Sequence, residues 1–173
     1  TALLKQIDSL PGDFWIRVLY THPVHITDQF IDFLAGGRHA VPYLDVPLQH
    51  IADPILRGMR RAISTEKTLS LMNGIRSRHP QMVVRTTFLT GFPGEDDAIF
   101  EQCRRFVEAM PYGLMHVFSY SPRQDTPAAG WPRPPSDAKM TLLGWALPQT
   151  AIWQRRWKMA PSEKIDANFM GWF

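Results

Sequence analysis

Apolar positions along this chain fall into short continuous runs, separated by longer stretches in which they recur every three or four residues. WIRVLY (15–20) is the first run, rich in β-branched and aromatic residues and stopped by His22-Pro23. TDQFIDFLAG (27–36) follows with helical spacing: Thr27 stands as N-cap, Phe30, Phe33 and Leu34 share one face, and Gly36-Gly37 closes it. YLDVPLQH (43–50) is the second run. ADPILRGMRR (52–61) reads as a short helix. STEKTLSLMNGIRSRHP (64–80) reads as a longer one, opened by a Ser/Thr cap, ended by Pro80, with Leu69, Met72 and Ile75 as its apolar positions. MVVRTTFL (82–89) is the third run. The acids at 95–97 then open a helix expected to reach about Met110, with Ile99, Phe100, Cys103, Phe106 and Val107 inward. LMHVFSYS (114–121) is the fourth run. TPAAGWPRPPSD (126–137) is a proline-rich connector without a packing pattern, and 138–158 is helix-like but carries Pro148, which should kink or split it.

Four strand–helix units, repeating every ~30–40 residues, predict right-handed βα crossovers and a parallel sheet in the α/β class. In such sheets chemistry gathers where strands end and loops begin, so the four strand C-ends are where candidate residues belong.

Composition narrows the picture. At 173 residues with 45% hydrophobic content, the chain can bury one real core. No run approaches ~20 apolar residues, so no membrane span is expected. The opening TALLKQIDSLPGD lacks the layout of a signal peptide, and the cytoplasm is the expected location. A net charge of +3 and a pI near 9.2 permit contact with RNA or an acidic partner. The basic residues, however, come in pairs (Arg60-Arg61, Arg104-Arg105, Arg155-Arg156), as on solvated helix faces. The single cysteine, Cys103, excludes a disulfide framework and any iron–sulfur centre ligated by this chain alone.

The expected strand ends carry polar side chains in an otherwise apolar setting. They are His22 and His25; Gln49 and His50; Arg85, Thr86 and Thr87 followed by GFPGE (91–95); and Ser119, Tyr120, Ser121 and Arg123. Buried there, they need partners that a bound ligand would supply. His22, His25 and His50 match the count of an open zinc site, but HPVH is not on a helix and no carboxylate completes it. No metal ligand is assigned on that basis. GFPGED is no phosphate loop of the Walker kind, because no Lys-Ser/Thr follows Gly94. Gly91 and Gly94 free the backbone, Pro93 fixes one torsion, and the acids suit a helix start, which argues against an anion bound there. No GxSxG elbow is present, and Ser121 has no evident base.

Four segments taken in order, IRVLYTHPVHIT (16–27), PYLDVPLQHIADPILRGMRR (42–61), RTTFLTGFPGED (85–96) and VFSYSPRQDTPAA (117–129), resemble the later part of the radical S-adenosylmethionine (SAM) domain of the methylthiotransferases. PYLDVPLQH is similar to the RimO type, which modifies an aspartate of a small-subunit ribosomal protein; the tRNA-modifying MiaB type tends to carry PLQSG there. The resemblance implies a partial TIM-type (β/α) barrel of six strands, of which about four are expected over residues 1–130. Residues 131–173 would be a connector and helical tail leading toward a TRAM β-barrel. It also implies SAM near the strand C-ends and a [4Fe–4S] cluster that cleaves SAM to a 5′-deoxyadenosyl radical, followed by sulfur insertion and methylation. On the matching positions, Gln49, His50, Arg85, Thr87, Gly91, Phe92 and Pro93 are the expected SAM-binding residues, and no catalytic residue is assigned. A ribosomal protein is the expected substrate of the longer parent enzyme, tRNA a lesser alternative, and a truncated non-catalytic module another. The chain departs from the family in lacking CxxxCxxC, so it is not expected to hold the cluster or to act alone. QDTPAA (124–129) also stands where the family usually has a glycine before TPAA.

Overall fold

The computed structural model describes residues 1–110 and 113–132. Three of the expected strands form a parallel sheet in the order β1 (Tyr43–Asp45), β2 (Val83–Thr90), β3 (Leu114–Ser119). Tyr43 lies opposite Val83 and Asp45 opposite Arg85, while Arg85 to Thr90 run beside Leu114 to Ser119. Helices α1 (Ala2–Asp8) and α2 (Asp28–Gly36) precede β1. Helices α3 (Asp53–Gly58) and α4 (Thr65–Arg78) carry the chain from β1 to β2, and α5 (Asp97–Ala109) from β2 to β3. Starts are fixed by side-chain caps: Thr27 accepts from the Phe30 N–H at 3.2 Å, Ser64 from Lys67 at 3.3 Å and Asp96 from Ile99 at 2.8 Å.

Burial along β2 alternates strictly. Val84, Thr86, Phe88 and Thr90 are buried; Val83, Arg85, Thr87 and Leu89 are half-exposed. The buried row joins Ile31 and Leu34 of α2, Met72 and Ile75 of α4, and Phe106 and Val107 of α5 in one core. Each such side chain contributes about 1.5–3 kcal/mol by leaving water. Cys103 sits in this core, as its helical position predicts. Helices therefore pack on one side of β2, and the Arg85–Thr87–Leu89 row faces the other. That second row is where polar chemistry is free to sit.

WIRVLY does not form the expected strand. It makes one parallel bridge, Ile16–Ala40, in which Ile16 N–H donates to His39 O at 2.8 Å and Val41 N–H to Ile16 O at 3.0 Å. The next acceptor of such a ladder, Val41 O, is taken at 2.7 Å by Tyr43 N–H in a tight turn over Pro42, so pairing stops. The segment re-engages at Thr21, whose backbone N–H and hydroxyl both donate to Asp45 O, at 2.9 and 2.5 Å. Leu69 is also corrected: it is exposed, and Thr68 takes the inward place, its hydroxyl donating to Ser64 O at 2.9 Å. In the expected connector, Pro127–Gly130 forms a 3-10 turn; the connector beyond Pro132 and the tail around Pro148 lie outside the described residues.

Candidate cofactor-binding face and an arginine-lined cleft

After β1 the chain stays beside β2 but advances one residue too many: Val46 N–H donates to Arg85 O, while the next pairing is Gln49 N–H to Thr87 O at 2.7 Å. The surplus residue is a bulge. The buried Thr86 hydroxyl holds it, donating to Val46 O at 3.0 Å and accepting from Leu48 N–H at 3.3 Å. Gln49 absorbs the turn with φ of 71°, a conformation costly to a residue with a Cβ. Among the described residues its side-chain amide makes no hydrogen bond. His50 then turns inward, 1% exposed, and its Nδ1 accepts from the Ala52 N–H at 3.0 Å. The ring proton therefore sits on Nε2, which is buried without a partner among the described residues. Desolvation lowers the His50 pKa to about 4, so the ring is neutral at pH 7.

Arg85, expected as a ligand contact, is committed within the sheet. Its Nη1 donates to Asp45 Oδ2 at 2.8 Å, the same oxygen that accepts from Tyr20 N–H at 3.0 Å. The Asp45 side chain is fully buried and that of Arg85 is 18% exposed, so breaking the pair would strand a charge. Arg85 Nη2 lies 3.5 Å from His116 Nδ1 on β3. Desolvation first, and then the Arg85 charge, lower the His116 pKa, while Asp45 opposes. Arg17 stacks over the Tyr43 ring at 4.2 Å and covers the same row from the N-terminal side. Thr87, one step nearer the strand end, is half-exposed with no hydroxyl partner among the described residues. Neither Asp45 nor His116 was singled out from sequence. The signal was present, since Asp45 is the one charge in the apolar run YLDVPL and Arg85 the one charge in MVVRTTFL, and buried lone charges demand each other.

The GFPGE turn is pinned from inside. Glu95 was expected to serve a helix start, but it lies before the Asp96 cap and is 5% exposed. Its Oε2 accepts from the Gly91 N–H at 2.5 Å and its Oε1 from the Thr90 hydroxyl at 3.3 Å. Burial raises its pKa, against the pull of those hydrogen bonds. Gly91 (φ 75°) and Gly94 (φ 92°) supply the left-handed torsions that let the carboxylate fold back. The Gly91 amide is thereby used up. Phe92 and Pro93 are buried, Phe92 edge-on to Tyr120 at 5.1 Å.

Beyond the strand ends lies an open cleft of about 620 Å³, lined by Arg57, Arg60, Leu89, Phe92, Tyr120 and Arg123 among others. Of the seven expected site residues only Phe92 reaches it. Arg85 and Thr87 lie in the half-exposed row of β2, Gln49 is half-buried at the strand exit beside Phe88, and His50, Gly91 and Pro93 are buried. Arg57 and Arg60, at the end of α3, were not anticipated as lining residues. The three histidines of the zinc pattern do not meet: His22 accepts from Val24 N–H at 3.4 Å at the start of a 3-10 turn, its ring centroid is 5.7 Å from that of His25, and no three-ligand group forms among the described residues. Desolvation, Arg61 and His25 all lower the His22 pKa.

No family model matches the chain. Among curated proteins it is 42% identical over 126 residues to the ribosomal protein uS12 methylthiotransferase RimO of Thermotoga sp. (strain RQ2), covering 73% of this chain and 29% of that protein. The RimO of Opitutus terrae is 42% identical over 132 residues, and that of Chlamydia pneumoniae 37% over 131. The chain belongs to the radical SAM methylthiotransferase family. It spans about 29% of the length of the RimO proteins it matches. Among solved structures it is similar to Methanocaldococcus infernus Elp3 (TM-score 0.57, 15% identity, 73% of this chain and 31% of that one). It is likewise similar to the Escherichia coli coproporphyrinogen III oxidase HemN, a radical SAM enzyme (0.58, 18%, 73% and 30%). At those identities the likeness shows the fold: a parallel α/β sheet of the kind found in radical SAM TIM-type barrels. No described helix is long and apolar enough to cross a membrane.

Proposed function

We propose that residues 1–130 are one flank of the SAM-binding barrel of a RimO-type methylthiotransferase, with 131–173 leading toward a further domain. In the longer enzyme this flank positions SAM for methylthio insertion at an unactivated C–H, on a ribosomal protein. Identity of 37–42% to RimO proteins over about three quarters of the chain carries this proposal. Two implied groups fare differently against the residues present. A [4Fe–4S] cluster needs several thiolates; Cys103 is a single buried thiol whose pKa burial raises further, so this chain does not fit that cluster. SAM fits better. Among the described residues the Gln49 amide, the Thr87 hydroxyl and the buried His50 Nε2–H have no partner, and they are polar groups that a zwitterionic ligand would satisfy. When bound, SAM supplies the activated carbon–sulfur bond on which the family's chemistry depends. Arg85, held by Asp45, fixes the row that carries Thr87 and is a positioning residue.

Calorimetric titration of the 173-residue chain with SAM tests this. Micromolar binding is expected, weakened roughly tenfold by Gln49→Ala and by Thr87→Val, each the loss of about one hydrogen bond to a charged or polar group. A folded chain, by circular dichroism, that takes up no SAM would overturn the assignment of this face.

A further inference from the structure

Strand register brings two polar side chains together on the half-exposed side of the sheet. Thr87 of β2 lies opposite His116 of β3, on the same face, and both are half-exposed. His116 is oriented from behind, as Thr87 is not. The buried Asp45 carboxylate accepts from Arg85 Nη1 at 2.8 Å, and the other terminal nitrogen of that guanidinium, Nη2, lies 3.5 Å from His116 Nδ1. A guanidinium only donates, so Nδ1 is the acceptor and the ring proton sits on Nε2. Among the described residues nothing accepts from that N–H; the Phe118 ring, 6.2 Å away, lies edge-on to the imidazole. The charged groups facing the ring are Arg85 from β2 and, beyond it, Asp45 from β1. Desolvation and the Arg85 charge both disfavour a positive ring, against the weaker pull of Asp45, so His116 is neutral at pH 7.

We propose that His116 is a further ligand-binding residue of this face, its Nε2–H donating to an oxygen of the same molecule that meets the Thr87 hydroxyl. This rests on the proposal that SAM lies at Thr87. It gives the buried Asp45–Arg85 pair a second role: the pair selects the imidazole tautomer that offers a donor beside Thr87. A ring N–H next to a hydroxyl suits a carboxylate or a ribose hydroxyl, and SAM carries both. Protonation of the ring undoes the arrangement twice. It sets a second N–H against the Arg85 guanidinium, and it places a positive charge beside a ligand that carries a sulfonium.

Calorimetric titration of the whole chain with SAM, from about pH 7.5 down to about pH 5, tests this with two variants that separate the ring nitrogens. His116→Gln puts an amide N–H near the place of Nε2 and should bind within about threefold of wild type. His116→Asn keeps an acceptor for Arg85 near the place of Nδ1 but offers no donor to the ligand, and should bind roughly tenfold more weakly. A merely structural histidine would give the opposite order, because asparagine preserves the contact with Arg85. Wild-type affinity should hold above pH 6.5 and fall as pH drops through the lowered pKa of His116, a fall that His116→Gln should lose. His50 and Glu95 are common to both proteins, so their titration cancels in the comparison. Long-range nitrogen–proton NMR on the SAM-free chain should show His116 as the Nε2–H tautomer, its resonances assigned by their loss in His116→Gln. An Nδ1–H tautomer, or SAM binding that both variants leave unchanged or weaken equally, overturns the role of His116 while leaving SAM at Thr87. A folded chain that takes up no SAM overturns both.

Discussion

Two strands leave the sheet at the same end, by opposite means. The exit after β2, GFPGE, places glycine at both left-handed positions and folds a buried carboxylate back onto the freed amide. The exit after β1, VPLQH, places Gln49 in a left-handed torsion with no glycine to relieve it and ends in a buried, neutral histidine with an orphaned nitrogen. A threonine from the buried row of β2 serves each: Thr86 clips the first bulge and Thr90 braces the second carboxylate. The second exit satisfies its own polar groups. The first leaves a left-handed Gln49 backbone, and among the described residues a side-chain amide and a buried N–H without partners. Where one turn closes on itself and its neighbour stays open, the open one is the better candidate for a ligand.

Titration separates the two exits, with opposite signs. His50 is neutral when folded, its pKa lowered to about 4 from 6.5. The stability tied to that neutral ring is complete above pH 6.5 and is lost as pH falls from there through about 4, because the unfolded chain takes up the proton first. The full loss is about 3 kcal/mol. Urea unfolding of wild type against His50→Asn, which keeps an acceptor for the Ala52 amide, measures it; an unchanged acid slope in the variant would count against the buried neutral ring. Glu95 runs the other way. Its folded pKa is raised above 4.5, so its share of stability is largest at low pH and declines as pH rises from 4.5 through the raised value.

Removing the carboxylate altogether tests the self-sufficiency of the second exit. Glu95→Ala strands the Gly91 N–H and the Thr90 hydroxyl in a buried site, at a cost of about 2 kcal/mol by the penalty for unpaired polar groups. Glu95→Gln retains an acceptor and should recover most of that while flattening the neutral-side pH slope. If both variants unfold at the wild-type urea midpoint, the turn is held by its glycines and not by Glu95.

Much of this arrangement was legible in the chain, and the limits are physical. Thr27, Ser64 and the acids at 95–97 announced three helix starts, because capping depends on residues a few positions apart. The existence of β2 and the burial of Cys103 likewise follow from local pattern, whereas the strict alternation of β2 appears only in the structure. WIRVLY failed because its ladder is broken by a turn at Pro42, some 25 residues on, which no local pattern reveals. The Asp45–Arg85 pair depends on strand register, and the role of Glu95 depends on a side chain turning back four residues instead of forward into the helix. At the site, Gln49 and Thr87 could be named, but the left-handed torsion that sets Gln49 apart is invisible in a residue that rarely adopts it.

That torsion permits the finest test of the contrast. Gln49→Gly gives the first exit the same relief that Gly91 gives the second. Release of left-handed strain, roughly 1 kcal/mol, is offset by the greater freedom of glycine in the unfolded chain, so net stability should change by less than about 1 kcal/mol. The backbone pairs of Gln49 with Thr87 and Leu89 need no side chain and should survive. SAM affinity should nonetheless fall as far as in Gln49→Ala, because only the amide has been removed. A glycine variant that is clearly more stable and binds SAM as well as wild type would mean the strain at Gln49 serves no ligand, and the two exits would then differ in sequence but not in function.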